Sequence, residues 1–264
     1  MSRAYQTISK NLTAAREHDD ISKLIRSSQL EEIIHLMDES GGTSLRELFT
    51  ACYDAPLISR DMLYLCKRLT KGKECSVSER KEKARIAALN NPLMMKALKS
   101  LTEDITTLLL TEESDFRSCC EAVSSESADY CVIPVFSSVD GYYPTFSKLT
   151  KAYDLKICKS VRILKSDNDE ELEFALLSKE AEVPKNAKNA VFSFAEEDKK
   201  ALPMLINAFF ENNVDVISVQ STPLEFNVDR FEHRIQLSLD NLSCDALLLF
   251  LNTSLPGHTL LGIY

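Results

Sequence analysis

Apolar residues recur along this chain first with helical spacing, and further on in short runs that alternate between helix and strand. Leu30, Ile33, Ile34 and Met37 predict one amphipathic helix, which Gly41 and Gly42 break. Ser44 and Glu47 then have capping-box spacing: the Ser oxygen can take a free helix N–H while the Glu reaches back to the cap. Leu45, Leu48, Phe49 and Cys52 predict a second helix behind that cap, Asp54–Pro56 a turn, and Ile58, Met62, Leu65, Cys66 and Leu69 a third helix. Residues 1–28 add one or two amphipathic helices suited to dimerisation. The stretch Lys71–Lys83 is highly charged, with almost no large apolar residue, so it cannot supply a core and marks a boundary.

From Ala84 strands and helices alternate. Ala84–Leu89, Ile105–Leu110, Ala128–Val135 and Leu155–Leu164 read as strands, and Leu93–Leu101, Phe116–Val123 and Phe146–Ala152 as helices. Such alternation predicts a mostly parallel sheet. The last part reads strand, helix, strand, strand, helix, strand. Ala190, Phe192 and Phe194 alternate; Leu202, Leu205, Ile206 and Phe209 have helical spacing; Val214–Val219 is a strand. Phe231, His233, Ile235, Leu237 and Leu239 share one face of another strand, and Ala246–Leu251 forms a helix. That order is the split βαβ, ferredoxin-like arrangement. The expected organisation is α+β / α/β. A helical domain of helix-turn-helix type spans 1–75, an α/β lobe 84–180 and a ferredoxin-like domain 187–264.

The composition is globular: 264 residues, 44% hydrophobic and 27% charged. No apolar run is long enough to span a bilayer, and the opening Met1–Tyr5 has no apolar signal segment. A cytoplasmic protein with no membrane partner is expected. The eight cysteines show no Cys-x-x-Cys pair and no zinc spacing, so they are expected to pack as free thiols with no metal and no cofactor. The net charge of −9 is uneven: residues 1–100 carry 17 Lys/Arg against 13 Asp/Glu, and residues 101–264 carry 14 against 27. Arg60, Tyr64, Lys67 and Arg68 lie on the polar face of the third helix. A helix in the major groove needs such residues for phosphates and base edges. A solvated helical face satisfies the same pattern, so DNA and plain solvent are both open as partners of that face.

The C-terminal elements resemble the ACT domain that ends prephenate dehydratases. There the first helix opens on Gly-Ala-Leu and the second strand closes on Glu-Ser-Arg-Pro. The matching stretches are Lys200, Ala201 and Leu202, and Gln220, Ser221, Thr222 and Pro223; Leu261–Tyr264 is similar to the family's ending. The resemblance implies a small-molecule effector, an aromatic amino acid such as phenylalanine, bound by a homodimer at these positions. Lys200 stands where the family has a glycine that lets backbone approach the ligand, and Thr222 stands in place of its Arg. A domain that only dimerises is the other reading.

The middle stretch resembles the first lobe of the same family's periplasmic-binding-protein-like catalytic domain, with Ala128–Val135 followed by Ser137, Ser138 and Gly141 as the best match. The family's Glu-Asn-Ser falls on Phe136, Ser137 and Ser138. Its glycine-rich anion loop falls on Asn90–Leu93, and its catalytic Thr-Arg-Phe on Leu172, Glu173 and Phe174. Leucine cannot donate the proton that Thr supplies, and Glu places negative charge where a dicarboxylate substrate needs positive. Between Leu164 and Asp167–Phe174 the family threads a second lobe, for which this chain has no residues. The lobe is therefore incomplete and the catalytic residues are unknown, which implies a pseudoenzyme: a non-catalytic, effector-responsive regulator. The alternative is a divergent prephenate dehydratase, or an accessory subunit, making phenylpyruvate for phenylalanine synthesis. No Ser/His/Asp spacing, Walker loop or dinucleotide fingerprint is present. His233 is expected as a hydrogen-bonded core or interface histidine, and the acidic cluster Asp167–Glu171 as a solvated turn.

Overall fold

The fold is that of a computed structural model, which describes residues 58–71, 81–165, 169–195, 200–224, 227–255 and 257–264. The helices expected before residue 57 lie outside the described residues, as does most of the charged stretch Lys71–Lys83. The chain divides into two compact units. One combines residues 1–75 with 191–259, and the other combines 76–190 with 260–264.

In the first unit, Arg60–Leu69 forms helix α1, capped by Ser59, whose Oγ accepts from the Met62 N–H at 3.3 Å. The second unit opens with β1 (Lys83–Ala88), α2 (Pro92–Leu101), β2 (Thr107–Glu112), α3 (Phe116–Ser124) and β3 (Tyr130–Ser137). Asn91 caps α2, with Pro92 at the position where a missing N–H costs nothing. Asp115 caps α3 by accepting from the Ser118 N–H at 2.7 Å, a bond that holds its carboxyl below the usual range. β1 pairs in parallel with both β2 and β3, as the alternation predicts. A two-residue strand β4 (Gly141–Tyr142) folds back on β3, and α4 (Pro144–Ala152), β5 (Lys156–Leu164) and β6 (Glu171–Ser178) follow.

The expectation of a mostly parallel sheet fails at β6. β6 is antiparallel to both β3 and β5, and the strand order of this unit is β2-β1-β3-β6-β5-β10, with β10 at Thr259–Ile263. The cause is length. Only residues 165–170 join β5 to β6, whereas a parallel neighbour needs a crossover of a dozen or more residues. The Lys165 N–H closes this hairpin on the Glu170 carbonyl at 2.8 Å. β10 returns in parallel to β5 through Gly262, where a Cβ would collide with the Ile157 carbonyl. Ile86, Met94, Leu98, Tyr130, Val132, Phe174 and Leu176 form the core that α2 closes on one face.

The first unit continues from β7 (Asn189–Ala195, shared at its start with the second unit) into α5 (Ala201–Glu211), β8 (Val216–Leu224), β9 (Asn227–Ser238) and α6 (Cys244–Ser254). The chain order βαββαβ is thus as expected. β9 lies between β7 and β8 and runs antiparallel to β8. Phe192, Phe209 and Phe250 meet edge to face at 6.4 and 6.0 Å, joining β7, α5 and α6 into one core. Onto α5 and α6 packs α1, whose Met62, Leu63, Leu65, Cys66 and Leu69 are buried.

Candidate functional site

Two strands of the second unit bring together the residues that resemble degenerate catalytic positions. Ser137 stands opposite Leu172, Phe136 opposite Glu173 and Pro134 opposite Phe174, where β3 pairs with β6. A residue-by-residue resemblance thus becomes one cross-strand cluster. Its chemistry, however, is turned inward. Ser137 has no exposed surface; its hydroxyl donates to Glu170 Oε1 at 2.6 Å and accepts from the Val139 and Asp140 N–H groups at 3.1 Å each. Lys165 Nζ donates to the other Glu170 oxygen at 3.3 Å. Ser138 and Glu171 exchange two bonds: the Ser138 N–H donates to the Glu171 carbonyl at 2.8 Å, and the Glu171 N–H donates to Ser138 Oγ at 3.0 Å.

Glu173 is 5% exposed and accepts from Arg162 Nε at 3.3 Å, while the same guanidinium reaches Glu171 at 3.6 Å. Leu172 and Phe174 are buried with it. This cluster can close the ends of three strands. Its buried hydroxyl, Ser137, and its two cations, Arg162 and Lys165, are each engaged with a carboxylate of the same cluster. The acidic stretch expected as a solvated turn is corrected here: Glu170 is buried because Ser137 and Lys165 supply the donors that make its burial affordable, and Glu171 opens β6. Sequence reasoning placed Glu170 in a solvated turn and did not single out Lys165. Their signal is that both lie in the short connection 165–170 between two strands.

In the first unit, Lys200 sits at the N-cap of α5 without a side-chain cap bond, and Ala201 and Leu202 form the first turn. Gln220, Ser221 and Thr222 lie along β8, Ser221 and Thr222 exposed. Ser221 Oγ meets His233 Nδ1 at 2.8 Å, and that ring lies 5.2 Å from Phe194 and 6.3 Å from Phe231. His233 of β9 thereby ties to β8 through one hydrogen bond and to β7 through one ring contact, a buried hydrogen-bonded histidine as its alternation implies. Gln220 Oε1 is buried with no hydrogen-bond partner among the described residues.

Of the four basic-face residues, Lys67 donates to the Asn212 carbonyl at 3.1 Å, at the C-terminal end of α5 where a cation is favoured. Asn212 Nδ2 in turn donates to the Arg60 carbonyl at 3.0 Å. The Arg60 side chain binds Asp61, and Arg68 lies over the Tyr64 ring and donates to its hydroxyl at 3.2 Å. The described cysteines are free thiols, and all but Cys244 are buried. Burial pushes Cys119 up to about 12, consistent with packing and not with reactivity. Among the described residues no group of His, Cys, Asp and Glu is placed to hold a metal.

No protein-family model matches the chain, and no curated protein matches it in sequence. Solved structures do match. Prephenate dehydratase from Streptococcus mutans superposes with a TM-score of 0.57 at 17% identity, over 68% of this chain and 97% of that one. GqqA, described as a novel type of quorum quenching acylase, gives 0.54 at 16%, over 68% and 94%. Prephenate dehydratase from Arthrobacter aurescens in complex with L-Phe gives 0.50 at 14%, over 68% and 89%. At such identities the likeness is one of fold: the chain has a prephenate-dehydratase-like fold.

Proposed function

We propose that this protein is a non-catalytic, effector-responsive regulator related in fold to the prephenate dehydratases. Its effector is an aromatic amino acid or a related metabolite, bound in the βαββαβ elements at Lys200–Leu202 and Gln220–Thr222. The observation that carries the reading is the β5–β6 hairpin. Past one register shift between Ile157 and Lys159 it pairs out to Leu164 and Glu171, and the Lys165 N–H donates to the Glu170 carbonyl, so only residues 165–170 stand where the resembled family inserts a second lobe. Beside it the Ser137 hydroxyl donates to Glu170 and the Arg162 guanidinium donates to Glu173. The L-Phe complex of the Arthrobacter aurescens enzyme favours an amino acid as effector.

A homodimer fits β8. Among the described residues this strand has a neighbour on one side only, and it exposes Ile217 and Val219, with Phe210 of α5 also exposed. An apolar edge strand of this kind is a template for pairing with a second copy. The DNA reading gains no such support. Lys67 is tied to α5, and the two helices that would precede α1 lie outside the described residues. A cytoplasmic location is consistent with the finding that no described helix is long and apolar enough to cross a membrane.

The test is a thermal-shift panel of L-phenylalanine, L-tyrosine, prephenate and chorismate, run beside a prephenate turnover assay. A bound effector raises the melting temperature by mass action, by an amount that keeps growing with the logarithm of ligand concentration above Kd. An aromatic amino acid that shifts melting without turnover is the expected result. Turnover above the uncatalysed rate sinks the proposal in favour of a divergent dehydratase. A salt-dependent shift of duplex DNA would restore α1 as a reader.

A further inference from the structure

The second unit contains a cavity that none of the resembled catalytic positions lines. It lies between α3, β3 and α4, has a volume of about 290 Å³, and is walled by Phe116, Ile133, Pro134, Tyr143, Phe146 and Leu149, with Thr145 also lining it. Local structure explains why these side chains converge. Phe116 and Phe146 sit in the first turns of α3 and α4, both of which start at the carboxyl edge of the parallel strands. Tyr143 occupies the N-cap position of α4 but makes no side-chain cap bond, so its ring is available to the wall. Pro134 precedes a register shift in the β3–β6 pairing, where a residue without an N–H is tolerated. Open α/β sheets bind ligands at this carboxyl edge.

Size and chemistry define the occupant. An enclosed apolar cavity of about 150 Å³ holds benzene. The cleft here is larger and open to water on one side, where Thr145 is exposed, and it offers three aromatic rings and two aliphatic side chains. Among the described lining residues the only side-chain hydroxyls are those of Tyr143 and Thr145, and none is charged. An ionic group pressed against this wall would lose water without gaining a partner. We propose that this cavity is a second small-molecule site, which takes a neutral aromatic group of one or two fused rings. Any polar substituent of the ligand points to the two hydroxyls. The site is independent of the effector reading above and shares no residue with it.

Indole is the probe, and the absence of Trp from the chain lets indole emission be read directly. The full-length protein is titrated with indole while the methyl resonances of Ile133 and Leu149 are followed by NMR. The expected result is a blue shift of indole emission, saturable movement of both methyl groups, and a Kd on the order of 0.1 to 1 mM. Thr145→Phe, placed at an exposed lining residue and free of indole emission of its own, fills the cleft and weakens indole binding at least about tenfold. Leu149→Phe does the same from within should the first variant fold poorly. Neither variant alters the melting shift with L-phenylalanine, so failure of this site and failure of the effector site are told apart. Methyl groups that stay unmoved up to the solubility limit of indole, or binding that both plugs leave unchanged, overturn the proposal.

Discussion

Two serines in this molecule have similar partners and opposite surroundings. Ser137, in the second unit, donates to a carboxylate at 2.6 Å with no exposed surface. Ser221, in the first unit, meets an imidazole at 2.8 Å from an exposed position on an edge strand. Both lie where the chain resembles a functional motif. In the lobe those positions have been absorbed into strand-end packing. In the βαββαβ elements several of them still face water, where a ligand or a second copy can reach them. The comparison teaches that burial, and not the hydrogen bond alone, separates the two: the same kind of polar pair is sealed from water in one unit and stands at an exposed strand in the other.

The largest effect is expected from reversing one substitution. Glu173→Arg restores the residue type of the resembled family but buries a second guanidinium against Arg162. It should cost more than about 3 kcal/mol of unfolding free energy and yield no prephenate turnover. Urea denaturation measures the first outcome and a phenylpyruvate assay the second. A stable variant with turnover would mean that the lobe is still an active site.

Next comes Asp129, which accepts from Lys81 Nζ at 2.7 Å and from the Arg85 backbone and guanidinium at 2.9 to 3.2 Å. Partial burial alone would raise its pKa, but the hydrogen bonds from Arg85 and Lys81 outweigh that and hold it well below the usual carboxylate range. Because the folded pKa is the lower one, the stabilisation is fully present above the unfolded value of about 4 and is lost as pH falls towards the folded value. Asp129→Asn should therefore cost about 2 kcal/mol at pH 7 and progressively less below pH 4, as read from urea midpoints across pH. An equal cost at pH 7 and pH 2.5 would contradict the assignment.

The smallest effects test the serine pair directly. Ser137→Ala leaves Glu170 without its closest donor and two backbone N–H groups without their acceptor, so about 1 to 2 kcal/mol is expected. Ser221→Ala, with water at hand to replace the bond, should stay below about 0.5 kcal/mol. If the two cost the same, burial does not separate the two regions.

Much of the architecture could be read from residue order. Each strand and helix expected between Ala84 and Tyr264 has a counterpart, because amphipathic period and capping side chains such as Asn91, Asp115 and Ser243 act within a few residues. The parallel sheet was misjudged because pairing partners are set over long separations. The brevity of 165–170 forces β6 against β5, and that hairpin then carries β6 to β3. The resemblance likewise sets Glu173 against a family arginine, but it does not tell that Arg162 is the partner of Glu173. Periodicity places Met62, Leu65, Cys66 and Leu69 on one apolar face, while their partners on α5 and α6 come from well over a hundred residues further along. Local spacing specifies which elements form. The burial of Ser137, the wall of aromatic rings around the cavity and the exposed edge of β8 arise from contacts between distant segments, whose free energy no short window of residues contains.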